Sequence, residues 1–350
     1  MIFSKKLISW YLQNKRSMPW RETTDPYRIW LSEIILQQTR VAQGLPYYLA
    51  FTGQYPTVFD LAKAEEEQVL KLWQGLGYYS RARNLHFTAK YIANDLNGVF
   101  PDNYKDLLKL KGVGDYTASA IASICYNEAV PVVDGNVYRV LSRYFNIDTP
   151  INSTTGIKEF KKIAFELIDP EQPATYNQAI MEFGALQCKP QSPYCIVCPL
   201  NDSCGSLQKG TVVSLPVKLK KLKIKKRYFN YLIFVINNRQ TIIKQRRGKG
   251  IWQNLYEFPL IEGDGELDLI TIKEDTVYKS LVKDMDIELT LFEEKFVVHK
   301  LSHQHLYTRF YIIKIDKSPE IREEYELIES NKIHSYPVPI LLGNFIDRFF

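Results

Sequence analysis

The sequence predicts a mainly α N-terminal part followed by a smaller α+β domain, and three observations predict it. Up to residue 187, apolar side chains recur at helical spacing and nothing alternates like a strand. Four cysteines then break the pattern, at positions 188, 195, 198 and 204. Beyond a basic stretch, Tyr228–Ile236, Phe296–Val298 and Tyr307–Ile315 have the aromatic and β-branched character of strands. At 350 residues the chain is long enough for two cores.

In chain order, Asp25-Pro26 gives an N-cap and a first-turn proline for a helix running through Val41. Its apolar positions wrap widely, which predicts a central helix. Further helices are expected at about 57–74, 80–96, 104–110, 115–125 and 136–145, then at Ile151–Ile168 and Thr175–Leu186. Residues 218–227 hold seven positive charges in ten positions and read as the end of a solvated linker, 211–227, able to lie along phosphates. One helix near 271–285 separates the strands of the second domain, 228–350. Residues 1–210 form the helical region, with about 25–130 as one module and 1–24 plus 131–210 as the other.

Composition is that of an ordinary soluble protein, 45% hydrophobic and 24% charged, with a net charge of +6 that suits a polyanionic partner. The amphipathic N-terminus lacks the apolar core of a secretory signal, and no stretch is long and apolar enough for a membrane span. A cytoplasmic location with reduced thiols is the default expectation.

Four features carry chemistry. In Leu110-Lys111-Gly112-Val113-Gly114-Asp115-Tyr116, two glycines uncover turn amides just ahead of a helix N-terminus, an arrangement that suits a phosphate oxygen and equally a plain helix–helix turn. Asp134 follows Gly114 by twenty residues and stands where an N-cap would. Glu33 lies among Ile29, Trp30, Ile34 and Leu36, so its carboxyl should hold its proton more tightly than usual, as a general acid needs near neutral pH. The cysteine spacing C-x6-C-x2-C-x5-C points to a metal rather than to disulfides. Only Cys195 and Cys198 make a zinc-type knuckle, although zinc stays a competitor to iron–sulfur on spacing alone.

These segments together resemble the helix-hairpin-helix DNA glycosylases, and within them the adenine DNA glycosylases of the MutY family. The likeness rests on Pro19-Trp20-Arg21, on Leu31-Ser32-Glu33 with Leu36-Gln37-Gln38-Thr39, and on Gly75-Leu76-Gly77-Tyr78-Tyr79. It extends through the hairpin, Asp134, Asn177–Gly184 and the cysteine loop. The resemblance implies a base-excision enzyme that removes adenine opposite 8-oxoguanine or guanine from double-stranded DNA. Glu33 would be general acid and base, and Asp134 would stabilise or bond to the sugar cation. Gln38 and Tyr78 would wedge into the helix stack, Arg21 and Glu182 would line the adenine pocket, and Gly112, Gly114 and Tyr116 would belong to the DNA-gripping hairpin. Cys188, Cys195, Cys198 and Cys204 would ligate a [4Fe–4S] cluster. Tyr116 stands where the endonuclease III branch carries a nucleophilic lysine, so the implied enzyme is monofunctional. A monomeric bacterial protein, nucleoid-associated when on DNA, is expected.

Gly250-Ile251-Trp252-Gln253-Asn254-Leu255-Tyr256-Glu257-Phe258-Pro259 resembles the strand and turn of Nudix-like domains, but Thr271–Leu289 lacks the clustered Arg and Glu of the hydrolase box. The domain should therefore bind rather than hydrolyse, reading 8-oxoguanine through Ser302 and His303. Leu301 stands where the family has a phenylalanine. Two other readings compete: an endonuclease III-like glycosylase/lyase, disfavoured by Tyr116, and a non-enzymatic iron–sulfur DNA-binding protein, which would have no use for a buried acid.

Overall fold

A computed structural model describes residues 2–219, 224–282, 287–316, 319 and 321–350. Its first helices are α1 (Ile2–Asn14), α2 (Pro26–Leu36), α3 (Val41–Gln54), α4 (Val58–Lys63), α5 (Glu66–Leu72) and α6 (Ser80–Asp95). After them come α7 (Tyr104–Leu107), α8 (Asp115–Tyr126), α9 (Gly135–Phe145), α10 (Thr154–Leu167), α11 (Pro173–Leu186) and α12 (Gly205–Gln208). The C-terminal part holds β1 (Lys225–Ile236), β2 (Gln240–Gln245), β3 (Tyr256–Glu257), β4 (Leu260–Gly263), α13 (Leu269–Glu274) and α14 (Thr276–Val282). It continues through β5 (Leu289–Leu291), β6 (Val297–Lys300), β7 (Gln304–Ile315), β8 (Glu326–Glu329) and α15 (Ile340–Phe349).

The chain divides into two compact units, Met1–Lys63 with Asn84–Lys220, and Ala64–Arg83 with Lys221–Phe350. Residues 64–83, helical in sequence character, thus count with the second unit.

In the first unit the Asp25 carboxylate caps α2, accepting from Tyr27 N at 3.0 Å, with Pro26 at the first helical position. Eight of the eleven residues of α2 are buried, which makes it the central helix its sequence predicts. The helix stops at Leu36, however, and does not reach Val41. Gln37 leaves the helix with ψ 115°, and Gln38 beyond it adopts φ +55°, a left-handed conformation that glutamine seldom takes. A separate helix, α3, then accommodates Pro46 inside it. The single helix expected at 57–74 is two, because Glu65 opens a capping box with Gln68 and restarts the chain as α5.

A second core joins α1, α9, α10 and α11 through Leu7, Leu141, Phe160, Tyr176 and Phe183. Each large side chain so buried contributes roughly 1.5–3 kcal/mol. This packing fixes the start of α9, and hence Asp134, against the body of the unit.

In the second unit β1 and β7 run parallel over twelve residues, from Lys225 opposite Gln304 to Ile236 opposite Ile315. Antiparallel neighbours flank them in the order β3-β2-β1-β7-β5, with β4 on β1, β6 on β7 and β8 on β2. Leu232, Phe234 and Ile313 face α13 and α14 through Ile272 and Leu281. The opposite face packs on α15, where Phe310 stacks on Phe345 at 4.1 Å. Covering on both faces explains why the second half of β1, Tyr231–Ile236, reads as an unbroken apolar run. Lys225–Arg227, expected in the linker, are strand residues instead, and Arg227 forks onto Glu262 at 2.6 Å. Of the basic run, Lys220–Lys223 lie outside the described residues, as do 283–286 of the helix expected near 271–285, whose described part is split into α13 and α14.

Candidate active site and nucleic-acid interface

Glu33 sits in the last turns of α2 with only 9% of its surface exposed. Burial pushes its carboxyl up to about 7, and nearby Asp134 pushes the same way; a hydrogen bond with Tyr116 and the charge of Arg21 pull it back. The proton is therefore held into the neutral range.

Asp134 is the N-cap of α9. Its Oδ1 accepts from Asn136 N at 2.9 Å and Val137 N at 2.8 Å, and its Oδ2 accepts from Asn136 Nδ2 at 2.8 Å. Burial raises this carboxyl above the usual aspartate value, while those donors and Arg139 oppose it. The same hydrogen bonds that start the helix also fix the direction of the carboxylate. Tyr116 stands beside the two acids: its hydroxyl lies within electrostatic reach of both Glu33 and Asp134 and donates to Met181 Sδ at 3.3 Å.

Arg21 forks onto Glu182, Nη1 to Oε1 at 3.1 Å and Nη2 to Oε2 at 2.8 Å. A second arginine, Arg16, does the same at 2.8 and 2.7 Å and adds its backbone N–H at 3.1 Å. Burial alone would raise the Glu182 carboxyl, yet these donors outweigh it and hold it down at about 2. Arg16 was not legible in the sequence, since an arginine in a polar stretch after a helix gives no signal of a partner 166 residues away.

The hairpin runs from Leu110 into α8. Gly112 takes φ +82°, and a β-carbon there would meet Asn84 Cβ at 2.8 Å, so glycine is required twice over. Gly114 differs from expectation. Its φ is −93°, an extended backbone open to any residue, and open space surrounds its α-carbon. Its smallness leaves the start of α8 uncovered rather than permitting a special angle.

The four cysteines line one cavity together with Arg143, Tyr194 and Leu200. Two buried arginines of α9 tie the loop down: Arg139 Nε donates to Cys188 O at 2.8 Å, and Arg143 reaches Lys189 O at 2.7 Å, Pro190 O at 3.0 Å and Cys188 Sγ at 3.5 Å. Among the described residues no three His, Cys, Asp or Glu side chains are gathered so as to hold a metal ion. Thiol sulfur is the donor that soft metal centres take, and four thiols around one cavity suit an iron–sulfur cluster as they suit zinc. Cys125 lies apart on α8, where burial pushes its thiol up to about 12.

In the second unit, the Gly75–Tyr79 segment and the 299–304 loop line one groove of about 460 Å³ with Trp252 and Arg83. Tyr78 adopts φ +48° and its hydroxyl hydrogen-bonds Ser302 Oγ. Arg81 donates to Leu76 O and Gly77 O at 3.2 Å each and sits 5.1 Å from the Trp73 ring and 5.5 Å from the Tyr78 ring. The two residues expected to wedge into DNA, Gln38 and Tyr78, are both exposed and both left-handed, and such outliers concentrate at functional positions. Ser302 and His303 share the groove with Tyr78, whereas Leu301 brings no aromatic ring to it.

Residues 31–164 match the HhH-GPD superfamily base excision DNA repair proteins, and residues 231–348 match the NUDIX domain. The chain is 34% identical over 323 residues to an adenine DNA glycosylase of Buchnera aphidicola subsp. Baizongia pistaciae, covering 91% of this chain and 87% of that protein. A second adenine DNA glycosylase, of Buchnera aphidicola subsp. Acyrthosiphon pisum, is 30% identical over 357 residues and matches 100% of this chain and 99% of its own length. Among solved structures, a thermostable thymine-DNA glycosylase superposes with a TM-score of 0.55 at 30% identity, over 59% of this chain and 96% of that one.

Proposed function

The chain belongs to the adenine DNA glycosylases, and from that premise we propose that it removes adenine paired with 8-oxoguanine or guanine in double-stranded DNA by a two-carboxylate hydrolysis. The observation that carries this reading is the buried Glu33 carboxyl, held protonated near neutral pH beside Asp134 and Tyr116.

Breaking the base–sugar bond leaves electron density on adenine and positive charge on the deoxyribose. Protonated Glu33 donates to adenine N7 and makes the base a leaving group. Ionised Asp134 stabilises the sugar cation or bonds to it. Glu33, now a carboxylate, takes a proton from the water that completes hydrolysis, the division of labour found in glycoside hydrolysis. The adenine must leave the stack to reach these groups, at a cost of a few kcal/mol. Gln38 and Tyr78 fill the gap, Arg21 and Glu182 hold the extruded base, and the hairpin amides of Gly112 to Tyr116 take the backbone phosphate. Ser302 and His303 read the 8-oxoguanine.

Two tests follow from the acid–base assignment. The single-turnover rate should be high while Glu33 holds its proton and fall as pH rises through about 7, because a carboxyl pushed up to that value loses its proton there. A rate that keeps climbing to pH 9 would remove Glu33 as the acid. Tyr116 offers no amine, so borohydride should trap little enzyme on DNA. Substantial cross-linking would reassign the chain to lyase chemistry.

The four cysteines would hold a [4Fe–4S] cluster, whose chemistry here is structural, a cross-link between the loop and the body of the helical unit. Arg139 and Arg143, on the helix that Asp134 caps, place the loop for it. Purified protein should carry iron and acid-labile sulfide in equal amounts, and Cys198→Ser should lose both. Stoichiometric zinc without sulfide would replace the cluster by a zinc site.

A further inference from the structure

Asp115 is the one acidic residue between Leu110 and Tyr116, and it stands directly beside Gly114 at the first position of α8. A carboxylate there favours the helix dipole but opposes any phosphate that approaches the same amides. The charge is not left bare. Lys161 of α10 donates to Asp115 Oδ1 and, at 3.1 Å, to the Tyr104 hydroxyl, while Tyr104 of α7 donates to the same Asp115 oxygen. The lysine also lies over the Tyr104 ring at 5.4 Å. Side chains of α7 and α10 therefore converge on one carboxylate of α8 at the mouth of the hairpin.

We propose that Lys161, oriented by Tyr104, is a positioning residue for DNA binding: it cancels the charge of Asp115 so that the hairpin can accept a phosphate. This rests on the reading that the hairpin faces DNA. Lys161 does not itself touch the phosphate in this scheme. Its removal hurts only because Asp115 is there, which separates it from an ordinary phosphate-binding lysine and from a surface ion pair of little consequence.

The test is a double-mutant cycle on the full-length enzyme, with duplex affinity read by fluorescence anisotropy at fixed salt. Lys161→Met should weaken binding about three- to tenfold, the range for an uncancelled charge near a phosphate, with the single-turnover rate at saturating DNA unchanged. Adding Asp115→Asn should return affinity to within about twofold of the parent. Asp115→Asn alone should leave affinity within about twofold of the parent, so a double variant as weak as Lys161→Met alone, or a gain from Asp115→Asn alone as large as the rescue, overturns the proposal. Lys111→Glu, in the same turn, reports on the hairpin itself. If it leaves affinity untouched, the hairpin does not face DNA and both readings fall. If it weakens binding while the rescue fails, only the role of Lys161 falls.

Discussion

Glu33→Gln is expected to release adenine at least about a thousandfold more slowly than the parent enzyme in single-turnover assays, with duplex affinity retained. Glutamine fills the same volume on α2 and keeps a polar group beside Tyr116, so the site is not emptied. What it cannot do is give up a proton and take one back. The same variant should be more stable than the parent above pH 7. The Glu33 carboxyl holds its proton in the folded state up to about 7, against an ordinary value of 4.5, so the folded state binds more protons than the unfolded one between those values. Stability from this group is full below pH 4.5, declines as pH rises toward 7, and is flat beyond. Removing the charge should restore up to about 3 kcal/mol at pH 8, visible as a higher midpoint in urea. A Glu33→Gln enzyme of unchanged rate, or one less stable than the parent at pH 8, would mean the carboxyl is neither the acid nor desolvated.

Asp134→Asn should slow adenine release by about a hundred- to thousandfold, the scale of losing one preorganised charge aimed at a developing ion. The choice of asparagine matters. Asp134 caps α9 through Oδ1, and asparagine caps helices about as well, so the fold should survive with little change in midpoint. Asp134→Ala removes cap and charge together and should cost roughly 1 kcal/mol of stability in addition. If asparagine and the parent react alike while alanine merely loosens the protein, the residue is a cap and nothing more.

The parts of the site legible in sequence were those with a local cause. Asp25-Pro26 announces the start of α2, and the apolar surroundings of Glu33 announce a desolvated acid. The spacing of the four cysteines announces a shared site. Illegible parts depend on chain paths that no short window contains. Gln38 takes a left-handed backbone although nothing in glutamine favours it, and α3 accommodates Pro46 inside it, a residue that ordinarily interrupts a helix. Arg16 and Lys161 acquire meaning only when folding brings Glu182 and Asp115 to them. Residues 64–83 look like more of the helical region, yet they count with the unit that also holds Ser302 and His303.

The central claim is that two carboxylates of the helical unit expel one extruded adenine. It is tested most directly by chromatography of the free base released from duplexes carrying adenine opposite 8-oxoguanine, guanine or thymine, or an oxidised pyrimidine opposite guanine. Release of adenine from the first two and of nothing from the others is the result expected. Liberation of the oxidised pyrimidine, or intact adenine in every duplex, would contradict it.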